Sequence, residues 1–185
     1  MDMNTKGIFI VFAFALFMAG TVPAFAQSES ISDNVVINEI DINPPGDDSK
    51  TITEWVELYN PTNFEIDLSG WEIASTTILK KTMTIPDGTT IKAGQFKTFS
   101  HTKVWFPDIN EIVQLRDSDK IVVDQTPTLT DLNNDFTSWQ RIYDGYDTDS
   151  SSDWKFVTST AGSSNGKLPV QQQTSSVVLT LTTDK

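Results

Sequence analysis

Between residues 34 and 166 no window keeps an apolar period of 3.6 for three helical turns, and that excludes a helical body for most of the chain. Short runs of β-branched and aromatic residues fill this region instead. Each ends at a turn signal: Asn43-Pro44-Pro45-Gly46, Asn60-Pro61-Thr62, Ser69-Gly70, Pro86-Asp87-Gly88. Proline cannot donate to a strand ladder, and glycine, asparagine and aspartate supply the backbone angles that turns need. Strands are expected over 35–42, 54–60, 64–68 and 71–74, around Met83 and Ile85, and over 95–100. Residues 111–115 and 120–123 read as a hairpin, and 139–143 and 154–157 as the last two clear strands. Many short strands at close spacing predict an all-β protein built as a β-sandwich.

The ends differ from this body. Lys6, an apolar run over 8–19 and Ala24-Phe25-Ala26 have the layout of a secretory signal peptide over 1–26. The run is short for a membrane span, which takes about 20 apolar residues, so a retained anchor is the lesser reading. A polar leader, 27–34, follows, and the domain is expected over 35–166. Residues 167–185 read as a polar linker and one alternating strand, VVLTLT. That strand either completes the sandwich or opens a further β-domain, and the linker before it favours the second.

Lys and Arg number 13 against 25 Asp and Glu, a net charge of −12. Such a field repels phosphate backbones. Lys80-Lys81 is the one adjacent basic pair, so nucleic acid is not an expected partner. With no cysteine and a single histidine, neither disulfides nor the usual four-ligand zinc site is available. His101 could serve as the base of a Ser-His-Asp triad, but no G-x-S-x-G elbow accompanies it.

The motifs INEID-NPPG, EWVELYNPT, IDLSGW, IPDGTTIKAGQ, VQLRDSDKIVVD and SWQRIYDGYDTDSSSDWKF, closing on TSTAGSSNG, stand in the order found in lamin tail domains. The chain resembles that family from about residue 35 to 166. The resemblance implies an immunoglobulin-like β-sandwich. It also implies a binding or anchoring module, in prokaryotes mostly secreted or at the cell surface, with no catalytic residues to carry over. Two local departures stand out: Thr160-Ala161-Gly162 replaces the family's Thr-Pro-Gly, and the RDSDK hairpin lacks the usual glycine.

Three groups are candidates for chemistry. Glu39 and Glu57, on neighbouring strands with Glu54, could form a glycosidase pair, which needs two carboxyls about 5–5.5 Å apart in a cleft. Alternation puts Trp55, Glu57 and Tyr59 on one face and Glu54, Val56 and Leu58 on the other. The preferred reading is structural: a charged rim, or partners for Arg141 or Arg116. Asp144, Asp147, Asp149 and Asp153 are candidate calcium ligands, since dense carboxylate loops supply the oxygens calcium prefers, although the EF-hand spacing is missing. Asp131 and Asp135 form a second acidic group. No cofactor is required on this reading, and aspartates form turns equally well. Trp71 is expected in the core. Trp105-Phe106 either offers a ligand platform or closes the end of the sandwich. The expected function is non-catalytic recognition of a protein or polysaccharide of the envelope or extracellular space. A small hydrolase and a calcium-stabilised adhesive module are the rivals.

Overall fold

The structure, a computed structural model, describes residues 31–46, 54–101 and 103–169. The expected signal peptide, the first half of the leader and the VVLTLT strand therefore lie outside the described residues. Among the described residues eleven strands follow one another: β1 (Val36–Asp41), β2 (Trp55–Tyr59), β3 (Ile66–Asp67), β4 (Glu72–Ser75), β5 (Thr82–Thr84), β6 (Thr90–Ile91), β7 (Phe96–Ser100), β8 (Val113–Arg116), β9 (Val122–Gln125), β10 (Thr137–Arg141) and β11 (Trp154–Thr158). A 3-10 turn, Ser151–Asp153, precedes β11. The expected third strand, 64–68, is narrower than its sequence suggested. Only Ile66 and Asp67 pair, because the Asn60 side chain holds the Phe64 carbonyl in a turn.

Two antiparallel sheets form the sandwich, ordered β11-β10-β1-β2-β7 and β5-β4-β8-β9, with a small β3-β6 ribbon beside them. Ile37, Ile40, Val56 and Leu58 of the first sheet and Ile73, Val113 and Leu115 of the second are fully buried and meet in one core. Each such side chain stabilises the fold by about 1.5–3 kcal/mol. Trp71 joins that core, as expected. Trp105 and Phe106 are wholly buried and stacked at 4.5 Å, so they close the end of the sandwich and present no platform to ligands. Both their backbone N–H groups donate to the inward-facing Glu54 carboxylate.

The spacing of β1 breaks strict alternation. Ile37 and Ile40 lie three apart, yet both point inward, because the register against β2 shifts between Ile37 and Glu39. The extra residue, Asn38, takes up the bulge. Glu39 and Asp41 are thereby turned to the outer face, opposite the core. One glycine is dictated by space as well as by conformation. Gly145 has φ +70°, and a Cβ there would stand 2.8 Å from Pro61 Cβ and 3.2 Å from the Tyr59 ring.

Candidate functional site

Glu39 and Glu57 face each other directly in the β1–β2 register, on the outer side of the five-stranded sheet. They are not a charged rim. Both are completely buried, because residues 159–166 run back across this face after β11 and cover them. Glu39 Oε1 accepts from the Ser138 and Ser159 hydroxyls at 2.7 and 2.8 Å and from the Thr160 N–H at 2.8 Å. The Thr160 hydroxyl lies 2.7 Å from Glu39 Oε2. Glu57 Oε2 accepts from the Gly162 N–H at 2.6 Å and the Thr98 hydroxyl at 3.2 Å. Asp144 takes the Asn165 N–H at 2.9 Å and the Ser164 hydroxyl, and Asn165 donates to the Asn38 and Arg141 carbonyls. Three carboxyl groups thus clasp one segment of the same chain. The two glutamates are opposed in register, but both are fully buried, three of their four oxygens meet the protein's own donors, and there is no room for a sugar.

Glu57 Oε1 is buried with no hydrogen-bond partner among the described residues. Burial, with the Glu39 and Asp144 charges beside it, pushes the Glu57 carboxyl up to about 7 against the pull of Gly162 and Thr98. Asp41, next on the same face, also rises to about 7, chiefly by burial and then by repulsion from Asp131, Glu39 and Asp135. These groups bind protons more tightly folded than unfolded, so stability falls as pH rises from about 4 through 7. The melting temperature is expected to drop by about 5 °C or more between pH 5.5 and 8.5. Glu57→Gln should narrow that drop; thermal scans of the two proteins in matched buffers check it.

Neither Arg141 nor Arg116 serves the glutamates. Arg141 is fully buried between the sheets. Its Nη2 lies 2.9 Å from each oxygen of Asp124 on β9, and its guanidinium stacks 4.9 Å from the Trp154 ring. The bulge explains why an ion pair sits there. On its β10 side, β1 pairs only through Glu39 and Ile40, so the Ile37 peptide groups lack a strand partner. Asp124 accepts the Ile37 N–H at 2.7 Å, and Arg141 Nε donates to the Ile37 carbonyl at 2.8 Å. Burial pushes the Asp124 carboxyl up, and the Arg141 charge pulls it back. The sequence reading missed Asp124. The available signal was an arginine two residues beyond Trp139, on the same inward side of a strand.

The four candidate calcium ligands part company. Asp144 belongs to the clasp. Asp147 lies 3.1 Å from Arg141 Nη1. Asp153 accepts from the Thr148 N–H and hydroxyl at 2.7 and 2.8 Å and caps the 3-10 turn with Ser150. Asp149 is exposed, at φ 56°. Among the described residues no three histidine, aspartate or glutamate side chains gather to hold a metal ion. His101 sits at the end of β7 with its ring against Trp105 and Nδ1 accepting from the Lys103 N–H.

One open concavity adjoins the clasp. Asp41, Pro44, Pro45, Trp55, Phe136, Ser159 and Ala161 line a cleft of about 310 Å³. Phe136 is 75% exposed, the most exposed large apolar side chain of the described residues. Nothing in its sequence, a lone phenylalanine after an acidic loop, distinguished it.

Fold and site together define an immunoglobulin-like module whose buried acids hold its own chain and whose outer face carries an aromatic cleft. The lamin tail domain model matches residues 28–132, and the chain belongs to the lamin tail domain family. No curated protein matches. The matched span ends before β10, yet β10 lies beside β1 in the same sheet, so the sandwich includes strands beyond it.

Proposed function

We propose that this is a secreted or cell-surface binding module that recognises a partner in the envelope or extracellular space and performs no reaction. The signal-peptide layout of residues 1–26 supports the location. Family membership supports a non-catalytic role. The observation that carries the binding reading is the cleft, where an exposed Phe136 and a half-buried Trp55 flank Asp41 on a sheet held rigid by the clasp. Binding groups on loops over a fixed scaffold are the usual arrangement for recognition.

The test is retention on envelope material from the source cells. The chain lacking residues 1–26 should be retained, and Phe136→Ala should weaken retention about tenfold, the effect of losing one aromatic contact. Its melting temperature should stay within about 1 °C, because an exposed side chain is removed. Equal retention of both proteins contradicts the reading. The hydrolase alternative is checked alongside, on a polysaccharide panel. Wild type and Glu57→Gln should show the same negligible turnover, and turnover lost only in the variant would revive it.

A further inference from the structure

We propose that the cleft receives the arginine or lysine side chain of a basic segment on a partner protein. This rests on the reading of the cleft as the binding face and adds the chemistry of what enters it.

The walls come from four separate stretches, 41–45, Trp55, Phe136 and 159–161, and strand pairing of Trp55 with Asp41 together with hydrogen bonds locks them in place. Gly46 N–H donates to Asn134 Oδ1 at 2.8 Å, and Asn134 Nδ2 returns a bond to the Gly46 carbonyl at 3.0 Å. Asn43 Nδ2 reaches the Asp131 carbonyl at 3.1 Å, and Ser159 N–H reaches the Phe136 carbonyl at 2.9 Å. Proline, tryptophan and phenylalanine side walls therefore stand ready-made around the Asp41 carboxyl.

Charge selects the occupant. Asp131, Glu39 and Asp135 all act repulsively on Asp41, and Asp131 Oδ2 is buried with no hydrogen-bond partner among the described residues. No ion pair among those residues reaches Asp41, Asp131 or Asp135. Asp41, the acid that lines the cleft, accepts the Asn43 N–H at 3.1 Å but meets no cation among the described residues. It is repelled by the acids behind it, in a chain of net charge −12, so a cation entering the cleft relieves that repulsion. A metal ion is a poor fit. Calcium takes six to eight oxygens, whereas rings and prolines line this cleft and no three acids converge. A cation on an apolar stem matches both features: the head meets the carboxyl, and stem and head pack on the Trp55 and Phe136 faces. Neutral glycans leave the charge unused, and phosphate backbones are repelled.

The test is an NMR titration of the chain lacking residues 1–26 with a tetra-arginine peptide, using a tetra-citrulline peptide of the same shape and no charge as control. The arginine peptide should give saturable shifts at the Trp55 indole N–H and the Phe136 and Ser159 amides, with citrulline at least tenfold weaker. Phe136→Ala and Asp41→Asn should each weaken binding about tenfold, and Asp149→Asn, on the loop of the 3-10 turn, should leave it unchanged. Affinity should also rise between pH 6 and 8 as Asp41, faced by Glu39, Asp131 and Asp135, loses its proton. Equal citrulline binding, or shifts spread over residues 144–153 and indifferent to Asp41→Asn, overturns the proposal. Should envelope retention depend on Phe136 while the arginine peptide fails to bind, this inference falls and the binding-face reading stands. Peptide binding with retention indifferent to Phe136 gives the reverse.

Discussion

Asp124→Ala is expected to destabilise the domain by about 3 kcal/mol and to lower its melting temperature by about 10 °C. That is the cost of taking the two-oxygen partner from a buried arginine that still holds Asp147 at 3.1 Å and Asp153 at 4.0 Å. The Arg141 guanidinium is 1% exposed and cannot reach water without opening the sandwich. Removing Asp124 also strips the Ile37 N–H of its acceptor at the bulge. Much of the loss should return in the double variant Asp124→Leu, Arg141→Met, since apolar replacement of a buried pair is often close to neutral. The Ile37 peptide would still lack its partners, so recovery should be incomplete. Asp149→Asn, on an exposed turn residue whose φ of 56° asparagine tolerates, should cost less than about 0.5 kcal/mol. Urea unfolding of the four proteins measures all of this. Equal stability of Asp124→Ala and wild type would mean that the pair does not bridge the sheets.

The second large effect is expected from Glu39→Ala. Four hydrogen-bonding groups from Ser138, Ser159 and Thr160 converge on this carboxylate, so its removal leaves several buried donors without an acceptor. At about 1–3 kcal/mol for each group left unsatisfied, partly recovered by relaxation and water entry, the loss should reach about 4 kcal/mol. Residues 159–166 should then become the first site of proteolytic cleavage. Glu39→Gln keeps one acceptor oxygen and should lose about half as much. Glu57→Gln differs in kind. Burial already favours its neutral form, so the amide should cost little at pH 5.5 and exceed wild type in stability at pH 8.5. The contrast between two facing glutamates separates a structural clasp from a catalytic pair, in which both variants would abolish turnover and neither need unfold.

Much of the architecture was legible in the sequence because turn chemistry and the absence of a helical period are local signals. Gly70 with φ 73° and Trp71 in the core follow from the Ser69-Gly70-Trp71 turn alone. The glutamates were readable only in part. Their faces follow from alternation along β2 and their approach from pairing β1 with β2, but their burial does not. What buries them is a segment more than 100 residues away in sequence, Ser159 to Gly162. Nothing local to VINEI or WVELY records that return. Arg141 was read as one alternative partner for the glutamates, and Asp124 was not seen as its carboxylate, because Ile37's missing ladder bonds exist only once the Asn38 bulge is known. The DGYDTDSSSD loop looked dense enough for a cation; in the fold Asp144 turns to Asn165, while Asp147 and Asp153 both reach Arg141 Nη1, at 3.1 and 4.0 Å.

The central claim is that Glu39 and Glu57 are occupied by the chain's own closing segment. Amide hydrogen exchange at Thr160 and Gly162 reads those two contacts one by one. In wild type at pH 6 both amides should exchange at least about a hundredfold more slowly than in an unstructured peptide, and Glu39→Gln should release Thr160 first. Fast exchange at both amides in the folded wild-type domain would contradict the account, leaving two open carboxyls free for a ligand or a reaction.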